Sequence, residues 1–460
     1  MTTDSFRAER TRRTRQYTGG LTPTVPAGIL ATPDIVESAA GQVAVLTATN
    51  LLARSHPAVF LSAPDAQLVI ASPRGGSTLH EACDRIVRGV DPDLTFRATR
   101  VIPADVPTMG LGAQSERATV YCGGQRWTAI LARNPVDTSV DQSSLLGLGL
   151  AVTMASGTLF RLSLGLEGFR EGSASLWSLG QPGSDLTGPP QAGPIDVGTT
   201  WLVGVGAVGS CLAWWLHVLG IEGSWTAIDG DDVKALNLDR SLGFFADQTP
   251  EMGSGPMKKS DAVATLHPRI ASFPGWWHEW VAQDPHSPDV LVLDANEYGV
   301  RSAVAAYSHP AVITATTSRN WTGELHRHLL LRDGCVACRF PAAAPIFECA
   351  TAPVVVHAPG DSGSETQDVA ESTDASLPFL SATAGLLQVA ALLQLQHGEW
   401  ARHEHNHWEV GFDPAGSLVQ SHNWPHWASC RTVASPDVRT RLHSGTRWHQ
   451  LDPDSHGSPP

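Results

Sequence analysis

The glycine pattern in WLVGVGAVGSCLAWWLHVLG (residues 201–220) constrains the fold of this chain more than any other feature. Gly204, Gly206 and Gly209 are spaced as G-x-G-x-x-G, which between two apolar runs predicts a strand, a tight turn and a helix. The first glycine allows the turn, the second lets a phosphate approach the backbone, and the third lets the helix pack on the strand. Asp229 lies 20 residues after Gly209, at the predicted end of the next strand, where a ribose hydroxyl is usually bound. The sequence therefore predicts a Rossmann-like nucleotide site.

The segment after Asp229 argues for a triphosphate rather than a dinucleotide. It reads DGDDVKALNLDR (residues 229–240) and continues to GPMKKSDAVATLHPRI (255–270), so that Asn237, Arg240 and Lys258 follow the same predicted strand. The charge of a triphosphate must be neutralised before its α-phosphorus can be attacked. Lys258 and Lys259 are two of only three lysines in the chain. This concentration of polar and basic groups has no purpose in a dinucleotide site.

These two segments resemble the ThiF/MoeB/E1 superfamily, whose enzymes activate ubiquitin-like proteins with ATP. The family pattern D-x-D-x-V-x-x-x-N-L-x-R is matched from Asp229 to Arg240, and its G-x-x-K is matched by Gly255 and Lys258. The resemblance implies that the glycine turn and Asp229 hold adenosine and ribose, and that the polar and basic residues hold the phosphates. The implied nucleotide-binding residues are Gly204, Gly206, Gly209, Asp229, Asp231, Asn237, Arg240, Lys258 and Asp294.

A later strand supplies the carboxylates that the resemblance assigns to Mg²⁺. The family ends this strand with D-x-x-D-N, and its second Asp binds the metal. Here the segment is DVLVLDANEYGVR (residues 289–301), so Asp294 matches the first position and Glu297 stands at the second. Because Mg²⁺ takes a tight octahedral set of oxygens, either Glu297 or Asp294 is a candidate ligand. The alternative for Glu297 is a surface side chain that follows a buried strand.

The amino terminus carries a short arginine motif. The family's adenylation domains begin with R-Y-x-R-Q, and their second arginine reaches into the ATP site of the neighbouring subunit. In this chain RRTRQ supplies Arg12, Arg15 and Gln16. The resemblance therefore implies that Arg15, from a first half without a glycine turn, assists a second half that carries the site. A solvated basic arm is the simpler alternative.

Four cysteines have candidate roles. Cys335 and Cys338 form C-x-x-C, and the family pairs this motif with a second C-x-x-C around structural Zn²⁺. In this chain only Cys430 matches a cysteine of the second motif. His426 or His422 is therefore the candidate fourth ligand. Cys349 falls where the family carries the cysteine that accepts the activated carbonyl as a thioester. The alternative to the zinc site is that Cys335 and Cys338 are unliganded thiols. The alternative for Cys349 is an inert thiol.

The chain divides near residue 195, because GQPGSDLTGPPQAGPIDVG (residues 180–198) has the composition of a linker. We predict an α/β protein with two tandem Rossmann-like domains: a degenerate domain at 1–190, an active adenylation domain at 195–436 and a frayed tail at 437–460. In the first half GQVAVLTATNLLARSHPAVFLS (41–62) is interpreted as strand, helix and strand, with LTATN in place of the glycines. Similar small-residue apolar helices are predicted at 145–165 and 377–398. This arrangement predicts a pseudo-dimer within one chain; an unrelated α/β first domain is the alternative.

Composition excludes several other classes. The net charge of −14 argues against a nucleic-acid partner, and seven cysteines, an odd number, are a poor disulfide framework. The start lacks the apolar core of a signal peptide, and the apolar stretches predict buried helices rather than membrane spans. These features predict a cytoplasmic protein. The histidine-rich segment HEHNHWEV (403–410) is a metal-binding composition, but its mixed spacing favours a solvated face.

The predicted function is ATP-dependent adenylation of the C-terminal carboxylate of a ubiquitin-like protein or peptide, with possible transfer to Cys349. Lys258, Arg240 and Arg15 would stabilise the charge that develops on the phosphates. An NAD(P)-dependent oxidoreductase would explain the glycines and Asp229 but not the basic cluster. A catalytically inactive scaffold with the same fold is the second alternative, and the glutamate at position 297 is compatible with it.

Overall fold

The computed structural model describes the chain apart from residues 1–2, 113–116, 139–141, 167, 181–187, 192, 254, 285, 341–375, 401–402, 417, 427–429, 431–435, 446 and 455–460. Two mixed β-sheets, each covered by helices, make up its framework. They correspond to the two halves predicted from the sequence, and the chain has two tandem Rossmann-like folds.

The first sheet has seven strands in the order β3-β2-β1-β4-β5-β6-β7. Its first five strands in that order are parallel, and the last two are antiparallel to their neighbours. The strands are β1 (Ala27–Ala31), β2 (Ala58–Ser62), β3 (Thr95–Ala98), β4 (Thr108–Leu111), β5 (Val120–Gln125), β6 (Thr128–Ala132) and β7 (Gly172–Ser175).

The second sheet has eight strands in the order β10-β9-β8-β11-β12-β13-β14-β15. It repeats the first sheet strand for strand, with five parallel strands followed by antiparallel ones, and adds one strand at the end. The strands are β8 (Thr199–Val203), β9 (Ser224–Ile228), β10 (Ile270–Phe273), β11 (Val290–Leu293), β12 (Ala311–Thr317), β13 (Thr322–Leu329), β14 (His407–Gly411) and β15 (Val419–His422).

The helices repeat in the same way. One helix follows the first strand of each half, and one long apolar helix lies between the first two antiparallel strands of each half. The helices are α1 (Thr3–Arg10), α2 (Arg12–Tyr17), α3 (Pro33–Val36), α4 (Ala39–Ser55), α5 (Leu79–Val90), α6 (Leu145–Ser163), α7 (Ala207–Leu219), α8 (Lys259–Ala264), α9 (Trp277–Gln283), α10 (Tyr298–Tyr307), α11 (Val336–Arg339), α12 (Pro378–Gln396) and α13 (Pro436–Gly445).

The two long apolar helices lie where the sequence predicts them. Helices α6 and α12 are long and apolar enough to cross a membrane, but their apolar windows are 89% and 100% buried inside the protein. Small residues allow close helix contacts: a Cβ at Gly385 of α12 would come within 2.7 Å of the Leu212 amide nitrogen of α7. The two helices therefore form a shared core between the sheets rather than an exposed apolar surface.

Two expectations for the chain are corrected. The first strand is Ala27–Ala31, and residues 41–50, predicted as a strand and a degenerate turn, lie inside helix α4. This segment is apolar on all sides because the helix is buried all round, and periodicity does not separate such a helix from a buried strand. Thr32 and Pro33 follow β1, so the first half does lack the glycine turn. Part of the predicted frayed tail is folded: Trp448 is buried and its indole Nε1–H donates to the Val197 carbonyl at 3.3 Å.

A buried arginine connects the two halves. Arg54 of α4 is 1% exposed and donates to the carbonyls of Leu238, Leu242 and Phe244 in the second half. Asn50, one turn earlier on α4, orients the guanidinium through its side-chain oxygen (2.9 Å from Arg54 Nε). No carboxylate pairs with Arg54 among the residues that the structure describes, and burial lowers its pKa to about 9. The first half thus supplies donors for the loop that carries Arg240.

We predict that Arg54→Met lowers the free energy of unfolding by about 3 kcal/mol. Three buried carbonyls would lose their donor, and each lost hydrogen bond of this kind costs about 1 kcal/mol. Denaturant unfolding of the purified chain measures the effect. Arg88→Met is the matched control, because Arg88 makes only an exposed pair with Asp84, and it should change stability by less than about 0.5 kcal/mol. Equal effects of the two substitutions would contradict the role of Arg54.

Candidate functional site

The glycine turn after β8 has the geometry of a phosphate-binding turn. Gly204 has φ +88°, and a Cβ there would come within 2.4 Å of the Ala295 amide nitrogen. A Cβ at Gly209 would come within 2.4 Å of the Gly204 carbonyl oxygen, whereas a Cβ at Gly206 would meet no described atom within 4 Å. The turn is therefore packed tightly behind Gly204 and Gly209 and open in front of Gly206. Helix α7 begins at this opening and directs its free N–H groups and positive dipole end towards it.

Asp229 fastens the turn to the neighbouring strand. Its Oδ2 accepts from the backbone N–H of Val205 at 2.7 Å, and its Oδ1 accepts from the N–H of Asp231 at 2.9 Å. Burial raises the pKa of this carboxyl group, while Lys259 and these two amides lower it. The side chain thus spans the ends of β8 and β9, where strands of this topology bind the ribose of a nucleotide.

The two motif segments meet beyond the end of β9. Asp232 and Lys258 form an antiparallel bridge, and the Val233 amide donates to the Met257 carbonyl at 2.8 Å. Lys258 Nζ lies 2.9 Å from Asp232 Oδ1 and donates to the Gly230 carbonyl at 2.8 Å. Lys259 Nζ pairs with Asp231 Oδ2 at 2.7 Å. Residues 229–233 and 256–260, which are far apart in sequence, therefore form one acidic and basic turn.

Asn237 and Arg240 are buried beside the arginine arm. The Asn237 side-chain oxygen accepts from the Lys234 amide at 2.9 Å, and Arg240 pairs with Asp239 at 3.1 Å. Asp239 Oδ2 accepts from both the amide (2.8 Å) and the hydroxyl (3.0 Å) of Thr14 on α2. Arg15, the next residue, is exposed. The structure thus holds α2 against the segment that carries Arg240, an anchor that the sequence motif did not reveal.

Asp294 is partly buried directly after β11, behind the glycine turn. Its Oδ1 accepts from Gln388 Nε2 at 2.6 Å, and its Oδ2 has no well-aligned hydrogen bond among the described residues. Burial raises the pKa of Asp294 to about 7, although Gln388, the Ala315 amide and Arg301 lower it. Glu297 is exposed and begins helix α10. A free carboxylate oxygen next to the turn makes Asp294 the better-fitting candidate for Mg²⁺, and Glu297 stays a candidate in the adjoining turn.

Three predicted thiol ligands come together around one point. Cys335 Sγ lies 3.6 Å from the Sγ atoms of both Cys338 and Cys430, and Cys338 Sγ lies 3.8 Å from His426 Nδ1. Zinc–thiolate bonds of about 2.3 Å in a tetrahedron place sulfur atoms about 3.8 Å apart. The other candidate, His422, has its Nε2 atom 4.0 Å from Glu409 Oε1. The donor set therefore fits zinc with three cysteines and His426. Cys349 lies outside the described residues.

Two features of the site were missed from the sequence. Gln388 on α12 contacts Asp294 across 94 positions of sequence, and no local pattern indicates it. The segment HEHNHWEV was expected to be solvated, but His403, Asn406 and His407 are buried. Residues 403–406 lead into β14, which begins at His407, so the mixed spacing reflects a loop followed by a strand.

The comparisons with known proteins are distant. The family model of the BilD N-terminal domain matches residues 27–166, which hold β1 to β6 and helix α6. The uncharacterized protein y4jF of Sinorhizobium fredii is 27% identical over 255 residues, covering 53% of this chain and 46% of that protein. This chain therefore spans about half the length of that relative.

Solved structures of the E. coli protein MccB resemble part of the fold. MccB with AMPCPP and the peptide MccA has 15% sequence identity and a TM-score of 0.37, covering 52% of this chain and 66% of MccB. MccB with ATP has 15% identity and a TM-score of 0.37, covering 51% of this chain and 65% of MccB. These similarities do not by themselves assign an activity to this chain.

We predict that Asp294→Asn stabilises the protein at pH 8 and has little effect at pH 4. The folded-state pKa of about 7 lies above the unfolded value of 3.8, so the folded state binds more protons between these values. Stability is therefore lost as pH rises through this window, by up to about 4 kcal/mol. Thermal unfolding of both proteins from pH 4 to 8 tests this. A stability difference independent of pH would show that Asp294 ionises normally.

We also predict that Cys430→Ser weakens zinc binding by about 100-fold or more, because serine replaces one of four ligands. Competition with a chromogenic chelator measures the affinity. Cys83→Ala is the control, since Cys83 is buried in the core of the first half and contacts Thr49. Unchanged zinc affinity in the Cys430 variant would contradict the proposed ligand set.

Proposed function

We propose that the second half uses ATP to adenylate the C-terminal carboxylate of a peptide or a small ubiquitin-like protein. The observation that carries this proposal is the pairing of residues 229–233 with 256–260, directly beyond the glycine turn. A nucleotide bound at that turn would extend its phosphates towards Lys258 and the segment of Asn237 and Arg240. An NAD-dependent hydride-transfer enzyme, whose cofactor has no 2′-phosphate, does not need a lysine and an arginine at this place.

In the proposed reaction a carboxylate oxygen of the substrate attacks the α-phosphorus of ATP. The bond from the α-phosphorus to the bridging oxygen breaks, pyrophosphate leaves with the electron pair, and an acyl-adenylate forms. Lys258 would exchange its contacts with Asp232 and Gly230 for phosphate oxygens, and Arg240 would add a second positive charge. Bound Mg²⁺ would supply further charge neutralisation, with Asp294 or Glu297 as ligands.

The first half would act as the inactive partner of a pseudo-dimer. Thr14 fixes helix α2 to Asp239, and the Tyr17 hydroxyl donates to the Ser318 carbonyl at 2.7 Å, so the second half holds α2 at its middle and at its C-terminal end. Exposed Arg15 lies between these two anchors. We infer that Arg15 completes the charge around the phosphates. Transfer of the acyl group to Cys349 as a thioester would be a later step.

We expect Lys258→Ala to weaken Mg-ATP binding at least about tenfold, because one charged contact to phosphate is worth more than about 1.4 kcal/mol. Calorimetry of the full chain with Mg-ATP, and separately with NAD, measures this. Lys234→Ala is the matched control, since Lys234 is exposed in the same segment. NAD binding, or equal ATP affinity in both variants, would refute the proposal.

Pyrophosphate exchange then separates an enzyme from an inactive scaffold. With a peptide ending in Gly-Gly as probe, exchange should depend on the peptide and decrease in Arg15→Ala, while the affinity for ATP changes less. ATP binding without exchange for any carboxylate probe would favour the scaffold. A normal exchange rate in Arg15→Ala would remove that arginine from the site.

A further inference from the structure

A cluster of histidines and glutamates lies on the antiparallel strands of the second sheet, outside the nucleotide site and the cysteine cluster. Glu324 and His326 are two residues apart on β13, so they share a face of the sheet. In the register of β13 and β14, His407 lies opposite His326 and Glu409 lies opposite Glu324. The sheet therefore brings four metal-ligating side chains together from segments about 80 residues apart in sequence.

The ligand atoms of Glu324, His326 and His407 are separated as they would be around one ion, and Glu409 adjoins His407. Glu324 Oε2 lies 3.5 Å from His326 Nε2 and 3.7 Å from His407 Nε2, and Glu409 Oε1 lies 3.4 Å from His407 Nε2. Bonds of about 2.0–2.2 Å from zinc to nitrogen and oxygen place neighbouring ligands of a tetrahedron about 3.4 Å apart. One atom from each of Glu324, His326 and His407 lies within 4.8 Å of the other two.

His407 provides an independent indication of a ligand. Its ring is 2% exposed, and neither ring nitrogen makes a well-aligned hydrogen bond among the described residues. Buried polar atoms are nearly always paired, and leaving one unpaired costs about 1–3 kcal/mol. An ion bound at Nε2 would satisfy that nitrogen in a place where the carboxylates of Glu324 and Glu409 already supply negative charge.

Neighbouring side chains hold Glu324 in a binding orientation. The Thr322 hydroxyl donates to Oε1 at 3.0 Å, and the Thr316 hydroxyl donates to Oε2 at 3.1 Å. Oε2 also lies near the Nε2 atoms of His326 and His407, whose rings stack with their centroids 4.3 Å apart. Hydrogen bonds that fix a ligating carboxylate in this way are typical of metal sites.

We propose that Glu324, His326 and His407 bind one divalent ion, with Zn²⁺ as the expected occupant and Glu409 as the fourth ligand. Two imidazoles and two carboxylates suit a first-row transition metal. The ion would fasten β13 to β14, and its binding does not depend on the adenylation proposed above.

Arg339 is the competing cation. Its Nε donates to His326 Nδ1 at 3.2 Å, and its Nη2 lies 3.6 Å from Glu324 Oε2. With this contact the neutral His326 ring carries its proton on Nε2, so metal binding requires the proton on Nδ1 and Arg339 turned away. In the same position the guanidinium lies over the Trp424 ring, 4.2 Å from its centroid. Arg339 and the ion therefore exclude each other.

The test counts metal ions per chain. The full chain is stripped with a chelator, dialysed against limiting free Zn²⁺ and analysed for metal content. The double variant Glu324→Gln/His407→Gln should hold one equivalent fewer than the wild type, and His405→Gln, a histidine beside the cluster bonded to Ser421, should equal the wild type. The equivalent at the cysteines reports whether the variant is folded; if the double variant does not fold, Glu324→Gln alone replaces it.

Two further measurements test the site: the absorption spectrum of bound Co²⁺ and the metal affinity of the Arg339→Gln variant. Co²⁺ bound at the cluster should lack the thiolate-to-cobalt charge-transfer band that cysteine ligands give. Arg339→Gln should tighten this binding severalfold, because a neighbouring positive charge is removed. Equal metal content in the wild type and the Glu324 variants, a thiolate band for every bound Co²⁺, or weaker binding in Arg339→Gln would each overturn the proposal.

Discussion

The buried guanidinium of Arg54 is the contact on which the arrangement of the proposed nucleotide site depends. A charged group removed from water needs hydrogen-bond partners, and Arg54 finds them in Asn50 and in three backbone carbonyls of residues 238–244 rather than in an acid. Those carbonyls belong to an irregular segment that cannot pair within the sheet. The arginine therefore satisfies its own donors and the backbone of the segment at once, and this fixes the position of Arg240 from the opposite half of the chain.

The carboxyl group of Asp294, behind the turn at Gly204, lowers the stability of the fold when it is ionised. Tight packing behind the glycines leaves Asp294 partly buried, and its raised pKa means that its charge is costly in the absence of a cation. An amide at this position would remove that cost. Keeping a carboxyl group there makes physical sense if a cation or a phosphate-bound metal compensates it, and the unpaired Oδ2 points to the same conclusion.

The sequence predicted those features that depend on local chemistry. The glycine spacing, the acidic turn and the C-x-x-C pair require particular residue types at short intervals, and the two apolar helices are long enough to be recognised. The first strand was misplaced because Ala27–Ala31 is short and is followed by Thr32 rather than by a glycine, while the buried helix after it is apolar on every side. Gln388 and Arg54 act across 94 and more than 180 positions, and the His407 cluster exists only through strand register. Such contacts leave no local pattern.

The first half lacks the glycine turn, yet its side chains make hydrogen bonds to the second half in several separate places. Thr47 accepts from the Trp214 indole at 3.1 Å, Asn50 donates to the Leu242 carbonyl, and the Thr14 amide donates to the buried carboxylate of Asp239 at 2.8 Å. Separation of the halves would exchange each of these hydrogen bonds for one to water, at a net cost of about 0.5–1.5 kcal/mol apiece. A Rossmann-like domain without a nucleotide turn is therefore retained for a physical reason: it completes the hydrogen bonding of the loop that carries the basic residues, which the second half does not do from its own backbone.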